Sequence, residues 1–321
     1  MAGAGSPRCR AVAAGQRILV IKHGALGDFV MALGPMRAIR DHHAGAHLTL
    51  LTGSAFADLA AQSRLVDQVW VDDRAPWWRL DLMWRLRRAL AAGRFDMVYD
   101  LQTSHRTGWY FRLWPGRKPA WSGIAPGCSH PDDNPDRRKL HTIDRQREQL
   151  RRAGIENVPD PDLSWVQASL DGFRLPRRYA LLVPGGAAHR PRKRWPVARY
   201  AALAGALVQR GLTPVVLGGA GEAALAQAIR EQCVETIDLT GRTEIPELAA
   251  LARGAAVTVG NDTGPMHVAA IAGAPSLVLF SHESDPVRTA PRGRKVKVLR
   301  RAALDQLPLA AVLAAVDALL P

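Results

Sequence analysis

Three stretches of this 321-residue sequence combine glycine, charge and a helix-starting residue in patterns that suit a phosphorylated ligand. The first, Lys22-His23-Gly24-Ala25-Leu26-Gly27-Asp28, lies between an apolar run and a helical pattern. Its two glycines let the backbone approach a ligand, and a helix start offers free N–H groups. It lacks the third glycine of a dinucleotide fingerprint, so it argues weakly for NAD. Asp28 serves either as a first-turn carboxylate satisfying those amides or as a general base, and spacing does not separate the two. The second stretch runs from Pro184-Gly185-Gly186 through Arg190, Arg192, Lys193 and Arg194 to Trp195-Pro196. A glycine pair and four cations ahead of a helix suit a departing pyrophosphate, while a solvated basic loop is the simpler account of any single arginine. The third, Gly260-Asn261-Asp262-Thr263-Gly264-Pro265-Met266-His267, is the most specific. Asp262 and Thr263 can cap, Pro265 suits a first helical turn, and the amides there form an anion site. His267 taken alone reads as a buried, hydrogen-bonded helix residue. A fourth element, Gly218-Gly219-Ala220-Gly221-Glu222, places a carboxylate where it holds either ribose hydroxyls or its own helix start.

The elements that must position these stretches alternate between apolar runs and helical periods, the pattern of parallel sheets flanked by helices. Strands are expected at 18–22, 47–51, 69–72 and 97–101, with a helix from Gly27 carrying Phe29, Leu33 and Met36 on one face. A helix over 142–153 ends at Gly154, and the aperiodic, Pro- and Asp-rich segment 156–178 reads as a linker. The alternation restarts with strands at 179–183, 214–217, 234–239, 257–259 and 276–280 and helices between them. A last helix opens at Pro308. The expected architecture is α/β: a tail (1–16), one Rossmann-like domain (17–155), the linker, and a second such domain (179–321) facing the first across a cleft, with the last helix free to pack back on the first domain.

Lys and Arg number 43 against 29 Asp and Glu, a net charge of +14 that favours an acidic partner. Cys9, Cys128 and Cys233 form no CxxC pair, so neither a disulfide framework nor a zinc site is indicated. Asp72-Asp73, Asp132-Asp133 and Asp160-Pro161-Asp162 read as solvated acids rather than metal ligands. The start of the chain lacks the apolar core of a secretory signal, and no window approaches a membrane span of about 20 apolar residues. Trp77-Trp78 and the segment 83–88 would suit docking on anionic lipid, but a solvated basic helix packing its apolar stripe on the sheet is the simpler reading. No nucleic-acid-binding motif is present, which ranks RNA or DNA low as a partner.

Taken together, the segment 18–28, Lys193-Arg194-Trp195-Pro196 and Asp262-Thr263-Gly264-Pro265-Met266-His267, in that order, resemble the heptosyltransferases of glycosyltransferase family nine. Asp100-Leu101-Gln102, the segment 141–150, Gly218 to Glu222 and Asp285-Pro286 add to the resemblance, which spans about 17–291. It implies a GT-B fold, with the acceptor sugar on the first domain and a nucleotide-sugar donor on the second. By the same resemblance Asp28 is the general base and Lys193 neutralises the donor phosphates. Gly185, Glu222, Asp262, Thr263, Gly264 and His267 then bind donor, Glu222 through the ribose, and Gly27 and Gln102 lie on the acceptor side. The implied reaction is metal- and cofactor-independent transfer of heptose from ADP-heptose, with inversion, to an anionic lipopolysaccharide inner-core acceptor. That would occur in the cytoplasm, at the inner membrane face. A protein hydroxyl or another glycolipid is the competing acceptor, and a non-catalytic nucleotide-sugar or nucleic-acid binder the competing class.

Overall fold

The computed structural model describes residues 15–186 and 190–320. Most of the expected tail (1–14) and part of the basic loop (187–189) lie outside the described residues. In chain order the first half carries β1 (Arg17–Ile21), α1 (Leu26–Met31), α2 (Leu33–His42), β2 (His47–Thr52), α3 (Ala57–Gln62), β3 (Gln68–Val71), α4 (Leu80–Ala92), β4 (Met97–Asp100), α5 (His105–Arg112), β5 (Ala120–Gly123), β6 (His130–Pro131) and α6 (Thr142–Arg152). The second carries β7 (Tyr179–Val183), α7 (Val197–Val208), β8 (Thr213–Val216), α8 (Ala223–Gln232), β9 (Ile237–Asp238), α9 (Ile245–Gly254), β10 (Val257–Asn261), α10 (Gly264–Ile271), β11 (Ser276–Phe280), α11 (Pro286–Thr289), β12 (Val296–Arg300) and α12 (Leu309–Asp317).

These strands form two parallel six-stranded sheets, ordered β3-β2-β1-β4-β5-β6 and β12-β11-β10-β7-β8-β9. Read from its other edge the second order is β9-β8-β7-β10-β11-β12, so both sheets repeat one doubly wound topology. Each reverses direction at a switch point, between β1 and β4 or between β7 and β10, where such sheets bind ligands. Helices on both faces require central strands that are apolar on both sides, and β7 (YALLV) and β11 (SLVLF) are buried along their whole length. Edge strands β3 and β12 keep polar, exposed positions instead.

Around the first sheet, Leu19, Ile21, Val98, Phe111, Trp114 and Trp121 share a core, with the Phe111 and Trp121 rings 5.2 Å apart. Each such side chain contributes about 1.5–3 kcal/mol of burial. Around the second, Leu182, Trp195, Tyr200, Val216, Ile229, Val259 and Leu279 do the same. The apolar face of α12 (Val312, Ala315, Val316), with Leu319 just beyond its end, is buried in this second core against α7.

Several elements depart from expectation for identifiable reasons. The helix from Gly27 breaks at Ala32 because Pro35 has no N–H to offer the turn before it and its ring crowds that turn's carbonyl. The strand expected at 234–239 shrinks to Ile237–Asp238, since Val234 is 80% exposed in the turn after α8. Strands β5, β6 and β12 were not anticipated, being short or interrupted by charge.

Contacts divide the chain into two compact units that do not follow the expected continuous boundaries. One comprises residues up to His23 together with Gly34–Asn134 and Gln146–Pro159; the other comprises Gly24–Leu33, Pro135–Arg145 and the residues from Asp160 onward. Helix α1 belongs to the second unit because it packs on α10 at a distance only glycine permits: a Cβ at Gly27 would lie 2.6 Å from the His267 ring. The expected linker 156–178 is for the most part fixed structure in that unit. Leu163 and Val166 are fully buried, and Arg253 donates to the carbonyls of Leu163 (3.1 Å) and Val166 (2.5 Å). Hydrogen bonds to a charged group contribute about 1.5–3 kcal/mol each. Arg253→Ala is therefore expected to speed amide exchange across 163–166 by about tenfold or more while the strands of the sheet keep their protection. Unchanged exchange in that segment would show that its apolar anchors suffice.

Candidate functional site

Beside the carboxyl ends of β7 and β10 the second unit holds a cavity of about 720 Å³. Its wall gathers Gly27 and Asp28 from α1, Gly185 and Lys193 from the loop after β7, Glu222 from the turn before α8, and Asp262, Thr263, Gly264 and His267 from the β10–α10 junction. The structure thus brings nine of the ten site residues read from the sequence to one cavity. Gln102 is not among its lining residues; in the first unit its side-chain oxygen accepts the His23 amide at 3.0 Å.

Glu222 bridges the two glycine turns. One carboxylate oxygen accepts the Gly186 amide at 2.8 Å and the other the Gly219 amide at 2.9 Å. The turns must be bare for this, since a Cβ at Gly185 would fall 1.7 Å from Glu222 Oε1. Lys193 Nζ donates to Asp262 Oδ2 at 2.7 Å, and the same oxygen accepts Ser284 Oγ at 2.6 Å. The ammonium is thereby held at the cavity wall rather than left on a solvated loop, with 13% of its side chain exposed. Arg194 is likewise no solvated cation: it donates to the Gly186 carbonyl at 2.5 Å.

The residue that ties these loops together escaped the sequence reading. Asn261 is fully buried and donates to the carbonyls of Pro184 (2.8 Å) and Gly185 (3.0 Å), while its oxygen accepts from the Trp195 amide (3.0 Å) and the Tyr200 hydroxyl (3.1 Å). Its position inside the third motif was the signal available, but nothing in the motif names these partners.

Asp28 sits half-buried in the first turn of α1, whose N-cap, Ala25, makes no side-chain cap bond. Among the described residues no hydrogen bond reaches its carboxylate, so the capping alternative has no bond behind it. His267 is buried beside it, with Nδ1 unpartnered. Burial pushes its imidazole down to about 4, further helped by His141, against the opposing pull of Asp262 and Asp28.

A second polar cluster lies in the first unit, at the carboxyl ends of β1, β3 and β4. His23 Nε2 meets Asp72 Oδ2 at 2.9 Å, Tyr110 donates its hydroxyl to the same oxygen at 2.5 Å, and Arg106 donates to Tyr110 at 2.9 Å. Burial opposes ionisation of Asp72, but the His23 and Tyr110 bonds outweigh it and hold the carboxyl at about 2. Asp72, half-buried and hydrogen-bonded, and Asp132, buried, are therefore not solvated acids; Asp73 accepts the Ser54 amide, Asp133 pairs with Arg152, and Asp162 accepts from Ser164. Among the described residues no three His, Cys, Asp or Glu side chains cluster to hold a metal ion.

The model of glycosyltransferase family 9 (heptosyltransferase) matches residues 83–310, well over half of the chain. The chain belongs to glycosyltransferase family 9. Among similar proteins, lipopolysaccharide heptosyltransferase 2 of Escherichia coli is 36% identical over 120 residues, 36% of this chain and 34% of that protein, so the match spans about a third of the relative. The lipopolysaccharide core heptosyltransferase OpsX of Haemophilus influenzae is 22% identical over 85% of this chain and 81% of its own. The solved structure of the E. coli ADP-heptose LPS heptosyltransferase II superposes with a TM-score of 0.78 at 23% identity, covering 95% of this chain and 98% of that one. This family-9 chain therefore has the GT-B fold of two Rossmann-like sheets.

The depressed His267 imidazole has a consequence for acid stability. Its folded-state pKa, about 4, lies below the ordinary 6.5, so in that interval the unfolded chain binds the proton more readily. The stabilisation is complete above about pH 6.5 and is lost as pH falls towards about 4. His43, lowered to about 4 by burial and then by His42, acts in the same direction. The fall in Tm between about pH 7 and about pH 5 is expected to be shallower in His267→Gln than in the wild type. An identical fall would assign the acid sensitivity to His43.

Proposed function

We propose that this chain is an inverting, metal-independent glycosyltransferase that moves heptose from ADP-heptose to a hydroxyl of a lipopolysaccharide inner-core acceptor. The observation that carries the reading is one cavity lined both by a carboxylate without a hydrogen-bond donor, Asp28, and by a cation beside a helix start, Lys193 and α10. The names of the family relatives, heptosyltransferases of lipopolysaccharide or its core, support the sugar and the acceptor class. The E. coli neighbour, described as an ADP-heptose enzyme, supports the donor.

The chemistry follows from the positions. An acceptor hydroxyl is a weak nucleophile, and Asp28 takes its proton as the oxygen bonds to the sugar C1. The bond from C1 to the diphosphate oxygen breaks, and its electron pair leaves with ADP. Attack on one face with departure from the other inverts C1. Negative charge then grows on the diphosphate, where the Lys193 ammonium and the positive end of α10 stabilise it. Glu222, already fixing both glycine turns, offers its remaining acceptor capacity to ribose hydroxyls. Asp262 holds Lys193 in place before donor arrives. A lipid-linked acceptor puts the reaction at the inner face of the cytoplasmic membrane. No described helix is long and apolar enough to cross a membrane.

Asp28→Asn keeps the shape and removes the base, so turnover is expected to fall by about 10²-fold or more with ADP affinity nearly unchanged. Retained turnover would return Asp28 to a dipole-stabilising role. Activity is expected to survive saturating EDTA, and its loss with recovery on adding Mg²⁺ or Mn²⁺ would refute the metal-free mechanism.

Lys193→Ala is expected to weaken donor binding and slow single-turnover transfer, with Lys193→Arg recovering only part, since a planar guanidinium does not reproduce a point charge. Exposed Arg192 is the clean control, whereas Arg194→Ala should show an intermediate loss because it supports the Gly186 carbonyl. Equal small losses across the set would mean a diffuse basic loop.

A further inference from the structure

The first unit carries an apolar surface that the transferase site does not use. Helix α4 was expected to pack its stripe on the sheet, yet only Leu90 is fully buried, with Leu86 partly packed on the core. The rest of its apolar side faces outward. Trp77 (76% exposed), Leu80 (64%), Trp84 (63%) and Trp109 (52%) line, with Met83 and Leu113, a groove of about 790 Å³ between α4 and α5. Trp78, 64% exposed, stands edge-on to Trp77 at 5.8 Å. Exposed apolar groups in such a contiguous set mark a surface that meets something else.

What it meets is indicated by charge. A second groove of about 440 Å³ adjoins the first, sharing Trp84 and Arg87 and adding Arg85 and Arg88. The guanidinium of Arg87 lies 5.1 Å over the Trp84 ring, and that of Arg112 lies 5.3 Å over Trp109. Residues 74–118 hold ten Lys and Arg against three Asp, a net +7 that is half of the whole chain's +14. Of the three acids, Asp100 is fully buried, Asp81 is paired with Arg79, and Asp96 accepts the Arg17 amide. Indole rings beside arginines, an apolar trough beside a cationic one, match the boundary between lipid headgroups and acyl chains, where indoles settle and cations meet phosphate.

We infer that this face docks on an anionic lipid bilayer, with Trp77, Trp84 and Trp109 entering the acyl boundary and Arg85, Arg87 and Arg88 on the headgroups. The inference extends the glycolipid-acceptor reading but does not need transfer chemistry, because docking is measured without donor or acceptor.

The test is sedimentation of the full chain with vesicles of phosphatidylcholine alone or mixed with phosphatidylglycerol, at low and high salt, together with quenching of tryptophan fluorescence by acyl-brominated lipid. Binding is expected only with phosphatidylglycerol and to weaken at high salt. Trp84→Ser/Trp109→Ser should lower partitioning and quenching by about tenfold, and Arg85→Glu/Arg88→Glu should lower partitioning at least as much. These side chains are exposed, so melting and ADP binding should match the wild type, which separates this outcome from failure of the donor site. Absence of binding, equal binding to both vesicle types, or unaffected variants would overturn the inference. So would a concentration-dependent dimer that the Trp substitutions dissociate, which would make the groove a contact between copies of the chain.

Discussion

A single buried carboxamide connects the loops on which the cavity at the strand ends depends. Asn261 has two donors and two acceptor positions, and all four are spent: two on the carbonyls of Pro184 and Gly185, one on the Trp195 amide, one on the Tyr200 hydroxyl. The end of β10 is thereby bonded to both ends of the basic loop that leaves β7. No charge is buried to do this, and no donor or acceptor of the carboxamide is left over, so the network avoids the cost of an unsatisfied polar group in a core. Lys193 lies two residues before Trp195 and Asp262 one residue after Asn261, so the bond that fixes the Trp195 amide also sets the register of the Lys193–Asp262 pair.

Close approach is the second constraint. Glycine at 185 lets the Glu222 carboxylate reach the Gly186 amide, and glycine at 27 lets α1 settle on the His267 ring. Both positions are intolerant of a methyl group for steric reasons that concern the neighbours, not backbone dihedrals. Helix α1 therefore follows α10 into the second unit, and Asp28 arrives at the pocket as part of the same contact.

This division between backbone pattern and side-chain contact explains what was legible in the sequence. Central strands such as 179–183 and 276–280 could be read because two covered faces demand an unbroken apolar run. Strand β12 could not, since Lys297 and the edge position break the run, nor could β5, whose sequence AWSG ends in Ser and Gly and has no continuous apolar run. The motifs around Asp28, Lys193 and Asp262 stood out because glycine, proline and charge are confined to short stretches beside strand ends. The roles of Asn261, His23 and Asp72 did not. The partners of Asn261 lie 61 to 77 residues away, and Asp72 joins His23 across 49 residues and Tyr110 across 38, so only the folded topology pairs them. Sequence likewise showed the Trp and Arg of α4 but not their orientation, because a stripe of that spacing packs on a sheet or faces solvent with the same periodicity.

The net charge also divides differently from what composition alone implies. A total of +14 invites the inference that a phosphorylated ligand is drawn to a positive pocket. The pocket is not positive: it is lined by two cations, Arg190 and Lys193, and three carboxylates, Asp28, Glu222 and Asp262. On the proposed reading, selectivity for a diphosphate there comes from arrangement rather than from net charge. Glu222 already accepts the Gly186 and Gly219 amides, and Asp262 accepts Ser284 besides Lys193, so two of the three acids have hydrogen-bond donors that offset their repulsion of an incoming anion. Asp28 has none among the described residues, which sets it apart from the other two acids of the cavity. The excess cations sit elsewhere: half of the net +14 falls within 74–118, where no residue lining this cavity lies. Charge on this chain is thus split into two separate sets: a balanced, geometrically ordered one at the strand ends, and an unbalanced one around the exposed tryptophans of the first unit.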